Sequence, residues 1–125
     1  MTENDISYDI RGAAFKVHSN LGPGLLESVY EIALMHELTK MGYEVKSQVA
    51  LPVVYDDIKL EMGFRMDLLI NDLVVVEIKS VDALADVHHK QLLTYLKLSG
   101  KKLGLLINFN VSSLKDSIIR IVNNL

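Results

Sequence analysis

The chain has 125 residues, half of them hydrophobic and 23% charged, with a net charge of −3 and no cysteine. That length supports a hydrophobic core and reads as a single domain, residues 1–125. Disulfides, thiolate zinc sites and a Cys nucleophile are excluded; the acidic balance argues against a protein that coats nucleic acid, though not against an enzyme that grips it locally through metal-binding acids.

The stretch Met1-Thr-Glu-Asn-Asp5 is polar and acidic, unlike a signal peptide, and no apolar run reaches membrane-spanning length. A cytoplasmic location without a membrane is expected. Apolar residues at Ile6, Ile10, Ala13, Ala14, Val17 and Leu21 predict a helix over 6–21, ended by Gly22-Pro23-Gly24. A second helix is predicted over 25–41, with Leu26, Val29, Ala33, Leu34, Leu38 and Met41 as its buried stripe and Gly42 as its cap. From 43 to 79 the chain reads as β. Val45, Val49, Leu51, Val53 and Tyr55 share one parity, Asp56-Asp57 is a turn candidate, and a strand over 58–70 bends at Gly63. Asn71-Asp72 then turns the chain into a strand over 73–79. A helix over 87–99, ended by Gly100, and a buried strand over 103–109 follow. The isoleucine- and valine-rich tail over 117–122 reads as a short strand, with helix as the alternative. This order gives an α/β (α+β) fold, one sheet with helices packed on it.

The register of the central hairpin follows from its pattern. Met66, Leu68 and Ile70 on one strand and Val74, Val76 and Ile78 on the next should share the core face. Arg65, Asp67, Glu77 and Lys79 then share the other. A two-residue loop would set even positions opposite odd ones, so an odd-length connection or a bulge is expected, bringing Asp67 opposite Glu77.

Two carboxylates and an ammonium in a mostly apolar sheet need compensation, and a divalent cation is the simplest. Mg²⁺ or Mn²⁺ takes carboxylate, carbonyl and water ligands and serves phosphodiester hydrolysis. Asp67, Glu77 and the backbone carbonyl of Ile78 are the candidate ligands. Lys79 would orient the attacking water or neutralise the phosphoryl group. The competing reading of Glu77-x-Lys79 is an ordinary solvated strand edge. Glu27, on a stripe with Gly24 and Tyr30, would reach the same ion or would simply favour the helix dipole. Gln91 and Tyr95, four apart, would position a phosphate or base, or form a boundary pair. His18 is a metal ligand or proton donor candidate against a helix-terminal packing role. Scattered cations, Arg65 and Lys97 among them, read as solvated.

The segment Leu21-Gly-Pro-Gly-Leu-Leu-Glu-Ser-Val-Tyr30 resembles the signature of the GxxExxY proteins, with Gly24, Glu27 and Tyr30 in the named positions. The resemblance continues through Gly63-Phe-Arg-Met-Asp67, Val76-Glu-Ile-Lys79, Gln91-Leu-Leu-Thr-Tyr95 and Gly104-Leu-Leu-Ile-Asn-Phe109, and so covers most of the chain. That family is similar to the PD-(D/E)XK nucleases. The resemblance implies a restriction-endonuclease-like core, a mixed central sheet flanked by helices. It implies Asp67, Glu77 and Lys79 as the catalytic triad and Glu27 as the helix-borne acid. Gln91 and Tyr95 match the QxxxY element of the branch related to RecB-type exonucleases, where a histidine near the first acid also binds metal, as His18 would here. Tyr30 joins Gln91 and Tyr95 as a substrate-positioning residue. Met66 stands where the family pattern has proline, and no catalytic residue is missing.

The expected function is a Mg²⁺- or Mn²⁺-dependent nuclease, with DNA preferred to RNA as partner. Two alternatives remain: a non-catalytic module binding nucleic acid or protein, and a homo-oligomer joined through the apolar tail Ile118-Ile-Arg-Ile-Val122.

Overall fold

The computed structural model describes the backbone of residues 1–125 and every side chain except those of Glu61 and Met62. Helix α1 covers Glu3–Leu21. It begins ahead of its first core residue because Thr2 and Asp5 form a capping box: Asp5 N–H donates to Thr2 Oγ1 at 3.2 Å, and Thr2 N–H donates to Asp5 Oδ2 at 2.9 Å. Helix α2 covers Glu27–Lys40 and buries Tyr30, Leu34 and Leu38, one residue per turn. The expected stripe is therefore rotated. Leu26 and Met41 are exposed, since Leu26 is the residue preceding the helix and Tyr30 takes the inward line.

Strands β1 (Val45–Tyr55), β2 (Ile58–Ile70) and β3 (Val74–Lys79) precede helix α3 (Asp86–Ser99). Strand β4 (Leu103–Asn108) and, after a 3-10 turn, β5 (Ile118–Val122) complete a five-stranded sheet in the order β1-β2-β3-β4-β5. The tail is thus a strand, paired antiparallel with β4. Only β3 and β4 are parallel, and α3 is the crossover that this pairing requires. The fold is α+β, a mixed sheet flanked by helices.

Helices α1 and α2 cover one sheet face, where Leu68, Ile70, Val74, Val76, Ile78, Leu105 and Ile107 pack against Ile6, Ile10, Tyr30 and Leu34. Helix α3 covers the other, with Leu92, Tyr95 and Leu96 against Leu69, Val75 and Leu106. Gly104 permits that approach, because a Cβ there would lie 3.0 Å from the Leu92 side chain.

Both hairpins turn on acidic or amide residues in the left-handed region. Asp56 and Asp57 have φ of 52° and 63°, and Asn71 and Asp72 have φ of 50° and 59°. The second turn closes with Leu73 N–H donating to the Ile70 carbonyl at 2.9 Å, yet the ladder pairs Ile70 with Val74. Leu73 is the extra residue, so even positions face even positions, Leu68 opposite Val76.

One expectation about faces is corrected. Met66 does not share the layer of Leu68 and Ile70; it packs with Leu69, Leu51 and Tyr95 on the α3 side. Gln48, the β1 residue between the pairs Ser47↔Leu68 and Val49↔Met66, has φ of 52°. A left-handed residue breaks the alternation on β1, and Val49 and Leu51 also pack on the α3 side although Val45 packs on the other. Beyond this point β1 and β2 continue together as a two-stranded arm, because β3 pairs with β2 only at 68–70.

Candidate active site

The acid pair sits where β2 and β3 separate. Their ladder ends at Leu68↔Val76, and from Asp67 onward side chains replace it. Ile78 N–H donates to Asp67 Oδ2 at 2.8 Å. Asp67 N–H points at Glu77 Oε1 at 3.4 Å, a long contact. The carboxylates thus fill the split between the strands and lie against each other.

Glu77 is 5% exposed. Burial first, then the Asp67 carboxylate, pushes its carboxyl from the ordinary 4.5 up to about 9, with the nearby Lys79 ammonium pulling the other way. Without a cation, Glu77 therefore holds its proton at neutral pH. Tyr95, on α3, borders the same pair. Burial and the charges of Glu77 and Asp67 push its hydroxyl up to about 12, against a hydrogen bond from Gln91. Tyr95 stays protonated at neutral pH and is available as a hydrogen-bond donor. Gln91, one turn earlier on α3, shares its helix face.

The turn before α2 is built to hold the end of β3. Gly22 and Gly24 adopt φ of 70° and 93°, open to glycine without strain. The Tyr30 hydroxyl donates to the Gly22 carbonyl at 2.6 Å and accepts from Leu25 N–H at 3.1 Å, closing the turn on its own helix. The Ser80 hydroxyl then donates to the Leu25 carbonyl at 2.7 Å, and Ser80 N–H donates to Glu27 Oε1 at 3.2 Å. Glu27 is thereby brought beside the residue that follows Lys79. Asn108 secures the same segment from the other side: its amide donates to the Val81 carbonyl at 2.9 Å and its oxygen accepts from Val81 N–H at 3.1 Å.

Two expected site residues have packing roles in the structure. Tyr30 is fully buried, stacked on Phe109 with ring centroids 4.5 Å apart, and its hydroxyl is spent on the turn. It positions Glu27 and cannot touch a substrate directly. His18 Nε2 lies 2.7 Å from the Val111 carbonyl and its ring neighbours Phe109, so it ties α1 to the segment after β4. Replacing Tyr30 by Phe should keep the stack and strand the Gly22 and Leu25 backbone groups, lowering stability in urea unfolding by about 1–3 kcal/mol. An unchanged midpoint would show that the hydroxyl does not hold the turn.

Sequence reasoning missed Glu31 and Gln48. Glu31 stands one turn after Glu27 on α2 and accepts from Gln48 Nε2 at 2.7 Å. Burial raises its carboxyl, and the Asp67 and Glu27 charges add to the shift. The spacing of four from Glu27 was the available signal. Its link to Gln48 was not readable, because the strained backbone of Gln48 is a tertiary feature.

The donors suit a divalent ion. Asp67 and Glu77 are adjacent on a shared split, Glu77 buried and Asp67 partly so, and two carboxyl groups held that close are an arrangement that a cation stabilises. Among the described residues no three His, Asp or Glu side chains gather closely enough to enclose an ion. Mg²⁺ in particular keeps several waters and is held by one or two carboxylates together with substrate phosphate, so two acids are a sufficient protein share.

A family model described as the PD-(D/E)XK nuclease superfamily matches residues 4–121. No curated protein matches the chain. No solved structure matches it. Among the described residues no helix is long and apolar enough to cross a membrane.

Proposed function

The chain belongs to the PD-(D/E)XK nuclease superfamily, and from that premise we propose that it is a Mg²⁺- or Mn²⁺-dependent nuclease hydrolysing phosphodiester bonds, with DNA the preferred substrate. Nucleases of this superfamily generally use divalent metals. The observation that carries the reading is the contact of Asp67 with buried Glu77 across the strand split, with Lys79 beside them. Asp67, Glu77 and the Ile78 carbonyl would hold the ion, with Glu27 at the rim. When bound, the ion supplies charge stabilisation at the phosphoryl group and makes a water acidic enough to attack.

The chain's own residues do the rest. Lys79 donates from its ammonium to a non-bridging phosphate oxygen or to the attacking water and so limits the charge developing at phosphorus. Glu27 orients water at the end of β3. Protonated Tyr95, supported by Gln91, donates a hydrogen bond toward the phosphate. Residues 1–125 act as one nuclease-like domain in this reading.

The test is cleavage of labelled single- and double-stranded DNA and of RNA with Mg²⁺ or Mn²⁺. Cleavage that stops on adding EDTA and returns with the ion supports the proposal. Inactivity on every substrate with both ions, and no ion binding in calorimetry, would overturn it. A non-catalytic module of the same fold is the second reading. Nucleic-acid binding that ignores both metal and Asp67→Ala would select it.

A further inference from the structure

The arm formed by β1 and β2 carries a pocket of about 370 Å³ whose lining reaches Arg65, two residues before Asp67 on β2. Its origin is a change of register. Leu51 pairs with Phe64, but Val53 pairs with Leu60, so β2 contains more residues than β1 across this interval. Gly63 makes the bulge possible, since a Cβ there would lie 2.1 Å from the Leu51 carbonyl oxygen. Pro52, opposite, has no N–H to leave unpaired. Gly63 and Pro52 line the pocket together with Phe64, Lys59 and Arg65.

The lining has a definite chemistry. Lys59 and Arg65 are exposed cations, and among the described residues no acid lines the pocket. Phe64 is 38% exposed, and its ring lies 5.0 Å from that of Tyr95, tilted by 46°. Tyr95 in turn borders Glu77 and Asp67. An aromatic face and two cations therefore continue outward from the acid pair, which complements a base followed by its phosphates.

We propose that this bulge pocket seats one nucleotide of a single strand, its base on Phe64 and its phosphates at Lys59 and Arg65. A duplex keeps its bases stacked inside and offers none to Phe64, so single strands are preferred. The proposal rests on nucleic acid being the substrate, and it names the strand form and the residues that read it.

Binding is measured on the full chain in EDTA, where cleavage is silent, with a fluorescein-labelled oligothymidylate about 12 nucleotides long, the matching oligouridylate and a duplex of equal length. The single strands should bind more tightly than the duplex. Tighter binding of the deoxy strand assigns the site to DNA and of the ribo strand to RNA; either supports the pocket. Phe64→Leu should weaken single-strand binding about tenfold, and Phe64→Tyr should restore it. Arg65→Gln, at an exposed position, should reduce the salt slope by about 0.7 and decides the matter should Phe64→Leu fail to fold. Wild-type affinity in Phe64→Leu, an unchanged salt slope in Arg65→Gln, or tighter binding of the duplex would overturn the proposal. Failure here leaves ion-dependent cleavage intact, whereas failure of the nuclease reading leaves Phe64-dependent binding without cleavage.

Discussion

Replacing Glu77 by Gln is expected to stabilise the metal-free protein and to flatten the dependence of its stability on pH. In the unfolded chain this carboxyl titrates near 4.5; in the folded chain burial and Asp67 raise it to about 9. Below the lower value both states are protonated and the site costs nothing. Between the two values the native state holds a proton that the unfolded state has released, so native stability falls as pH rises through this window. Above about 9 the full penalty remains, on the order of several kcal/mol. Gln cannot ionise and keeps the shape, and its amide can donate to Asp67. At pH 8 and without metal, the melting temperature of Glu77→Gln should exceed that of the native protein by on the order of 10 °C. At the same time it should lose ion binding and cleavage. The linked expectation is proton release: because Glu77 must ionise to ligate, ion binding near neutral pH should liberate about one proton, seen as a buffer-dependent enthalpy in calorimetry. A variant less stable than the native protein, or ion binding without proton release, would contradict this account of the pair.

Lys79→Met should separate ion binding from chemistry. Lys79 lies close enough to Glu77 to oppose the rise in its pKa, so its ammonium already competes with a cation for the acid pair. Removing it makes the split more electronegative and should leave ion affinity unchanged or tighter. Cleavage should nevertheless fall by about 100- to 1,000-fold, as for the loss of one preorganised donor at a developing charge. The measurements are ion titration by calorimetry and single-turnover cleavage at saturating ion. Lys79→Arg should recover part of the rate, since charge is kept but reach and shape change. Parallel loss of ion affinity and rate would mean that Lys79 only supports the fold of the site.

Much of this architecture was legible along the chain because it is local. Helical spacing located α1 and α3, left-handed turn residues located both hairpins, and the parity of Leu68, Ile70, Val74 and Val76 required the odd connection that Leu73 provides. Alternation then set Glu77 and Lys79 on one strand face, and composition removed thiolate chemistry altogether. The same rules failed at Met66, because alternation holds only along a regular strand and Gln48 is left-handed where β1 passes the acid pair. They reached less far at Tyr30, whose residue type suited a substrate contact but whose hydroxyl is taken by Gly22 and Leu25.

What the amino-acid order determined by itself was the sequence of elements, the turn chemistry and which residues carry charge. What only the tertiary structure decided was which groups of the helices and of β1 come to the Asp67–Glu77 pair. Hydrogen bonds such as Ser80 to Glu27 and Gln48 to Glu31, and the Leu51–Gly63 approach that opens a pocket beside Phe64, join residues far apart in the chain. Such contacts form only when packing brings separate elements together, and no spacing along one segment encodes them.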